Sequence, residues 1–224
     1  MIPIRRGDGA GLSVPGFKQV RKGDGTVLWS AGGGIPDSVV DDFESNRQSN
    51  YDGSTGKASI VTSPVVEGSQ ALEIADGAFG DGITSTSGLP DDPEQGDTMQ
   101  CWVYLTNSSQ NASFIYYADE ETTFPSNRYE VTIDADADTF GVVRDNTPFA
   151  ASDHLNEWLR IIGTWRDDNV HSFSLEDSSG NELVTHEVTD SEYDGASGVG
   201  VGFRNGNAAN QSAPMYFDGC FTTT

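Results

Sequence analysis

The sequence predicts an all-β sandwich carried behind a short extended arm, and three observations lead there. From residue 39 onward, apolar or alternating runs of strand length recur at intervals of about 8–15 residues. Gly, Asn, Asp, Ser and Pro separate them, and no amphipathic helix longer than two turns can be drawn. The charge is also split. The chain of 224 residues carries 12 Lys+Arg against 35 Asp+Glu, a net charge of −23. The first 30 residues nevertheless hold five of the basic groups and only two acids, a net of +3 against −26 for the rest.

The arm comes first. Arg5-Arg6-Gly7-Asp8-Gly9-Ala10-Gly11-Leu12 returns as Arg21-Lys22-Gly23-Asp24-Gly25-Thr26-Val27-Leu28. Each Gly-Asp-Gly lies between extended residues, as a tight hairpin turn requires. Its apolar groups, Phe17 and Trp29 among them, are too many for a free tail and too few for a core of their own. Such a segment is expected to order by adding strands to other copies or to another protein. Arg5, Arg6, Phe17, Arg21, Lys22 and Trp29 are the expected assembly residues. Ala31-Gly32-Gly33-Gly34-Ile35-Pro36 then reads as a hinge, dividing a basic anchoring and oligomerisation arm, 1–34, from an acidic domain, 35–224.

Within the domain the runs fall at 39–43, 71–75, 99–105, 113–118, 129–133, 140–144, 158–165, 170–176, 183–188, 199–203 and 215–221. Asp177-Ser178-Ser179-Gly180-Asn181 is expected to close an antiparallel hairpin. About eleven to thirteen strands in a domain of this length suit a jelly roll of two facing sheets. Trp102, Trp158 and Trp165 sit among apolar neighbours and are assigned to the core. Cys101 and Cys220 also lie in apolar runs. Buried free thiols are the default for a cytoplasmic product, and a disulfide stays open if the two strands are neighbours.

The acids are sprinkled between apolar residues, and only three of the basic residues are lysines. That is the surface expected of a protein adapted to brine, where the Debye length falls to roughly 3 Å and self-repulsion is screened. Nucleic-acid binding by the acidic domain is excluded, because phosphate neutralisation needs a basic face. No stretch reaches the roughly 18 apolar residues of a membrane span, and no apolar signal-peptide core follows Arg5 and Arg6. Synthesis in the cytoplasm without membrane insertion is the resulting expectation.

The order of several landmarks is informative. Asp41-Asp42-Phe43-Glu44-Ser45 opens the domain, and Glu67-Gly68-Ser69-Gln70-Ala71-Leu72-Glu73 follows. Gly96-Asp97-Thr98 leads into Cys101-Trp102-Val103-Tyr104-Leu105. Glu157-Trp158-Leu159-Arg160-Ile161 and Tyr216-Phe217-Asp218-Gly219 complete the series. Over roughly residues 39–222 this order resembles the concanavalin A-like (LamG-like) jelly-roll family, shared by lectins, glucanases and carbohydrate-binding modules. With its leader Gly16-Phe17-Lys18-Gln19-Val20-Arg21-Lys22-Gly23-Asp24-Gly25, the chain is similar to such modules in surface and tail proteins of haloarchaeal viruses.

The resemblance implies a structural virion surface protein, either a capsid decoration or turret or a tail fibre or spike. It would be a homo-oligomer, held to other virion proteins by its arm and turned towards host surface glycans or glycoprotein. The alternative it implies is a cellular haloarchaeal carbohydrate-binding module or glycosidase-associated domain. It also implies a structural Ca²⁺ shared by the first and last strands, with Asp42, Glu44 and Asp218 at the matching positions; no other cofactor is expected.

For sugar binding, the aromatic and donor side chains Tyr117, Arg128, Tyr129, Arg204 and Asn205 cluster beside loops. Catalysis has little support. The run Glu130-Val131-Thr132-Ile133-Asp134-Ala135-Asp136-Ala137-Asp138 lacks the carboxylate spacing of the family's glucanases and falls where a hairpin must turn. As a Ca²⁺-binding EF-hand loop it fails, with Thr139 at the glycine position and Asp145 at the twelfth. His154, His171 and His186 are isolated, so no nucleophile–base spacing exists and no enzyme is expected.

Overall fold

A computed structural model describes residues 19–21, 27–30, 38–44, 51–53, 57–75, 81–85, 95–118, 127–192, 202–205 and 213–223. The chain forms two units, Met1–Ile35 and Pro36–Thr224.

In the first unit, β1 (Gln19–Arg21) pairs antiparallel with β2 (Val27–Ser30), with Val20 opposite Trp29. The second Gly-Asp-Gly, within 22–26, lies outside the described residues. Arg5, Arg6, Phe17 and Lys22 lie outside the described residues, as do the side chains of Arg21 and Trp29.

The second unit is a sandwich of two antiparallel sheets. Its strands are β3 (Ser38–Asp41), β4 (Tyr51–Gly53), β5 (Ala58–Val61), β6 (Ala71–Ile74), β7 (Asp81–Ser85), β8 (Thr98–Tyr104), β9 (Asn111–Ala118), β10 (Arg128–Asp134), β11 (Thr139–Val142), β12 (Asp145–Pro148), β13 (Trp158–Trp165), β14 (Val170–Asp177), β15 (Glu182–Thr189), β16 (Gly202–Asn205) and β17 (Met215–Thr223). The seven-stranded sheet runs β12-β11-β10-β9-β16-β7-β4, and the eight-stranded sheet runs β15-β14-β13-β8-β17-β6-β5 with β3 paired to β17.

Alternation places every second side chain between the sheets. Phe114, Tyr116, Val131, Ile133, Phe140 and Phe203 come from the seven-stranded sheet. Leu72, Ile74, Val103, Ile161, Phe173 and Phe217 meet them from the other. Aromatic contacts knit the layers, with Phe203 and Phe217 centroids 5.1 Å apart and Tyr116 and Phe173 also 5.1 Å apart. The hairpins over 177–181 and 134–139 form as expected. In the second, Asp134 Oδ1 accepts from the backbone N–H groups of Asp136 and Ala137, each at 2.9 Å. The end of the acidic run, from Asp134 onward, is therefore turn chemistry.

Cys101 and Cys220 are joined as a disulfide between the neighbouring strands β8 and β17, so the free-thiol default gives way to the paired alternative. Trp165 lies in the main core, as assigned. Trp102 and Trp158 are buried as well, but in a second cluster. They occupy the outward set of positions on β8 and β13, and form a separate cluster with Ala71 on the outer face of the eight-stranded sheet. Val65, Val66, Tyr104 and Tyr216 pack against that cluster.

Candidate functional site

On β10 the burial alternates cleanly: Tyr129, Val131 and Ile133 point inward, and Arg128, Glu130, Thr132 and Asp134 point away from the core. On one side of β10 lies β9, and beyond β9 lies β16. Their registers bring polar groups into line. Ser113 Oγ is 3.2 Å from Thr132 Oγ1, and Arg204 lies opposite Ser113 on the next strand. Asn111 Nδ2 donates to Asp134 Oδ2 at 2.7 Å.

At the centre, Arg128 and Arg204 converge on Glu130. Arg128 Nη2 donates to Glu130 Oε1 at 2.8 Å, and Arg204 Nη1 stands 3.6 Å from Oε2. The three side chains are recessed, with exposures of 16%, 8% and 12% for Arg128, Arg204 and Glu130. Burial lowers the Arg204 pKa from its ordinary value; the Glu130 charge opposes that shift and the Arg128 charge adds to it. The result is a recessed polar surface with guanidinium, carboxylate and hydroxyl groups on three adjacent strands.

Two of the expected sugar platforms are elsewhere. Tyr117 and Tyr129 point into the sandwich, at 3% and 0% exposure. They pack with Trp165, and Tyr129 also packs with His171. Rings with a hydrophobic body are drawn inward wherever the hydroxyl finds a partner, and Tyr129 Oη donates to Asp190 Oδ1 at 3.0 Å. His171 completes this box. Its Nε2 donates to the Asp190 carbonyl at 3.1 Å, which leaves Nδ1 to accept from Tyr116 Oη at 2.7 Å. Burial pushes the His171 pKa down. Asn205 is buried as well.

The three carboxylates assigned to Ca²⁺ are engaged with backbone. Glu44 Oε1 accepts from Ser69 N at 2.6 Å and Gln70 N at 2.9 Å, and its Oε2 accepts from Ser69 Oγ at 2.7 Å. Asp218 Oδ2 accepts from Val66 N and Glu67 N, both at 2.9 Å. Asp42 Oδ1 accepts from Glu44 N at 3.2 Å. Glu44 and Asp218 thus hold down the loop between β5 and β6. Among the described residues no three His, Cys, Asp or Glu side chains form a group able to hold an ion.

In the sequence Glu130 heads an acidic run that falls where a hairpin must turn. The alternation Arg-Tyr-Glu-Val-Thr-Ile-Asp was the available signal, since it puts Arg128, Glu130, Thr132 and Asp134 on one face. Glu130 and Asp134 are four residues apart along a strand, about 13 Å by strand rise. The carboxylate pairs of glycosidases are about 5–9.5 Å apart.

No family model and no curated protein matches the sequence. Solved structures do match. Lectin I-B4 from Griffonia simplicifolia, in its metal-free form, aligns at 10% identity over 81% of this chain and 96% of its own, with a TM-score of 0.52. Peanut lectin with a nine-residue peptide aligns at 10% identity over 78% and 90%, with a TM-score of 0.51. A glycosyl-hydrolase-like protein from Parabacteroides distasonis aligns at 11% identity over 82% and 98%, with a TM-score of 0.50. At such identities the likeness establishes the fold: the sandwich is a lectin-like jelly roll of the concanavalin A type.

Proposed function

We propose that this jelly roll is a carbohydrate-recognition domain displayed on the surface of a haloarchaeal virus particle and turned towards host surface glycans or glycoprotein. The arm, 1–34, anchors it to other virion proteins and assembles it into a homo-oligomer. The observation that carries the recognition reading is the convergence of Arg128 and Arg204 on Glu130, recessed beside Ser113 and Thr132. Planar guanidinium and carboxylate groups fixed on rigid strands suit the paired hydroxyls of a sugar. The sprinkled acids and scarce lysines support life in brine, and the β1–β2 hairpin supports a strand-adding arm. The domain acts by binding, without catalysis.

The test is binding of the full chain to host-envelope glycans arrayed in molar salt. The reading predicts binding that weakens about tenfold or more in Arg128→Ala and in Arg204→Lys, which keeps the charge but loses the fork. Failure to bind any host envelope fraction would refute it.

A further inference from the structure

The eight-stranded sheet has an outer face of different chemistry. Five adjacent strands contribute one residue each to a single row: Ser59 on β5, Glu73 on β6, Tyr216 on β17, Tyr104 on β8 and Trp158 on β13. At the spacing of neighbouring strands this row is about 19 Å long. The residues flanking these positions, such as Leu72, Ile74, Val103, Leu105, Leu159 and Phe217, fill the core, so alternation turns the row outward.

The row is ordered by its own contacts. Tyr104 meets Trp158 edge-on at 5.3 Å between centroids and Tyr216 edge-on at 5.8 Å. Tyr216 is hydrogen-bonded to the Glu73 carboxylate, which also accepts from Ser59 Oγ at 3.3 Å. Tyr104, Tyr216, Glu73 and Ser59 remain only half-buried. Trp158 is itself buried, and the two tyrosine rings left partly in water beside it mark an interaction surface.

We infer that this stripe binds a neutral, hydroxyl-rich pyranose chain, at a second surface distinct from the Arg128–Glu130–Arg204 face. Ring faces take the C–H side of a sugar, and the Glu73 carboxylate accepts from its hydroxyls. Charge decides between occupants. Salt screens the domain's net charge at a distance, but an anionic ligand seated on the stripe would meet the Glu73 carboxylate at contact distance, which disfavours nucleic acid, anionic lipid and acidic glycan. A second copy laid on the stripe would bury the Glu73 carboxylates of both copies. A neutral glycan meets neither penalty.

The experiment titrates the full chain in molar salt with neutral gluco-, galacto- and manno-oligosaccharides, followed by tryptophan fluorescence with Trp158→Phe as the reporter control. At least one of them should bind and perturb Trp158. Tyr104→Ala should weaken the binding that Trp158 reports about tenfold and Glu73→Gln severalfold, while Arg204→Lys, which acts on the other face, leaves that Trp158 signal unchanged. Should Tyr104→Ala fail to fold, Glu73→Gln and Tyr216→Leu decide the matter. The inference is overturned if none of these sugars binds, or if binding is undiminished in both Glu73→Gln and Tyr216→Leu. It is also overturned if the Tyr104 and Tyr216 variants change the oligomer mass instead. Because Arg204 is on the other sheet, its variant separates failure here from failure of the recognition face.

Discussion

Asp218 and His171 are buried titratable groups that pull stability in opposite directions with pH. Burial pushes the Asp218 carboxyl up to about 7, against the hydrogen bonds from Glu67, Val66 and Gly219, with the Glu67 charge reinforcing the rise. Between an unfolded value near 3.8 and about 7, the native state therefore holds a proton that the unfolded chain has released. Its contribution is complete below 3.8 and is lost as pH rises towards 7. His171 has the reverse sign. Its folded pKa is lowered from 6.5, so the unfolded state gains a proton first and stability falls as pH drops below 6.5. Asp218→Asn keeps an acceptor for the Val66 and Glu67 N–H groups and removes the charge. Its melting temperature should rise relative to the parent at pH 8 and hardly at pH 5. A pH–stability profile identical to the parent's would contradict this assignment.

At the scale of elements, β13 and β14 show how tightly the strands are fitted. Gly163 points inward opposite Phe173, and a Cβ there would collide with the Ser172 carbonyl oxygen and the Phe173 ring. Gly163→Ala should cost about 1–3 kcal/mol in chemical denaturation, since backbone must move to admit the methyl group. An effect within a few tenths of a kcal/mol would show that the strands separate easily. The long strands were legible in the sequence because apolar residues repeat at period two or in continuous runs, as in 129–133 and 158–165. The strands over 51–53, 58–61, 81–85 and 145–148 were not. β12 illustrates the reason: Asp145-Asn146-Thr147-Pro148 has turn composition, yet it is held in the sheet by pairing with β11. The site was half legible. Arg128 and Arg204 were found as donors, but their meeting at Glu130 depends on β9 lying between β10 and β16, a long-range pairing that no local pattern encodes. Tyr117 and Tyr129 misled because a loop lies close by in sequence while their strand positions face the core.

At the scale of the whole molecule, the proposed role makes charge the quantity to test in both stability and assembly. The acidic domain carries seven basic and 33 acidic residues, and repulsion among them is screened only when the Debye length falls to a few ångströms. The melting temperature should climb steeply from about 0.1 M to about 2 M KCl; a flat dependence would remove the argument for brine. Assembly through the arm is the claim on which display on a particle depends. Its direct test is mass by light scattering in about 2–3 M salt, for the full chain and for a chain lacking residues 1–34. The account predicts a defined oligomer for the full chain and a monomer once the arm is removed. Monomers in both cases would contradict it.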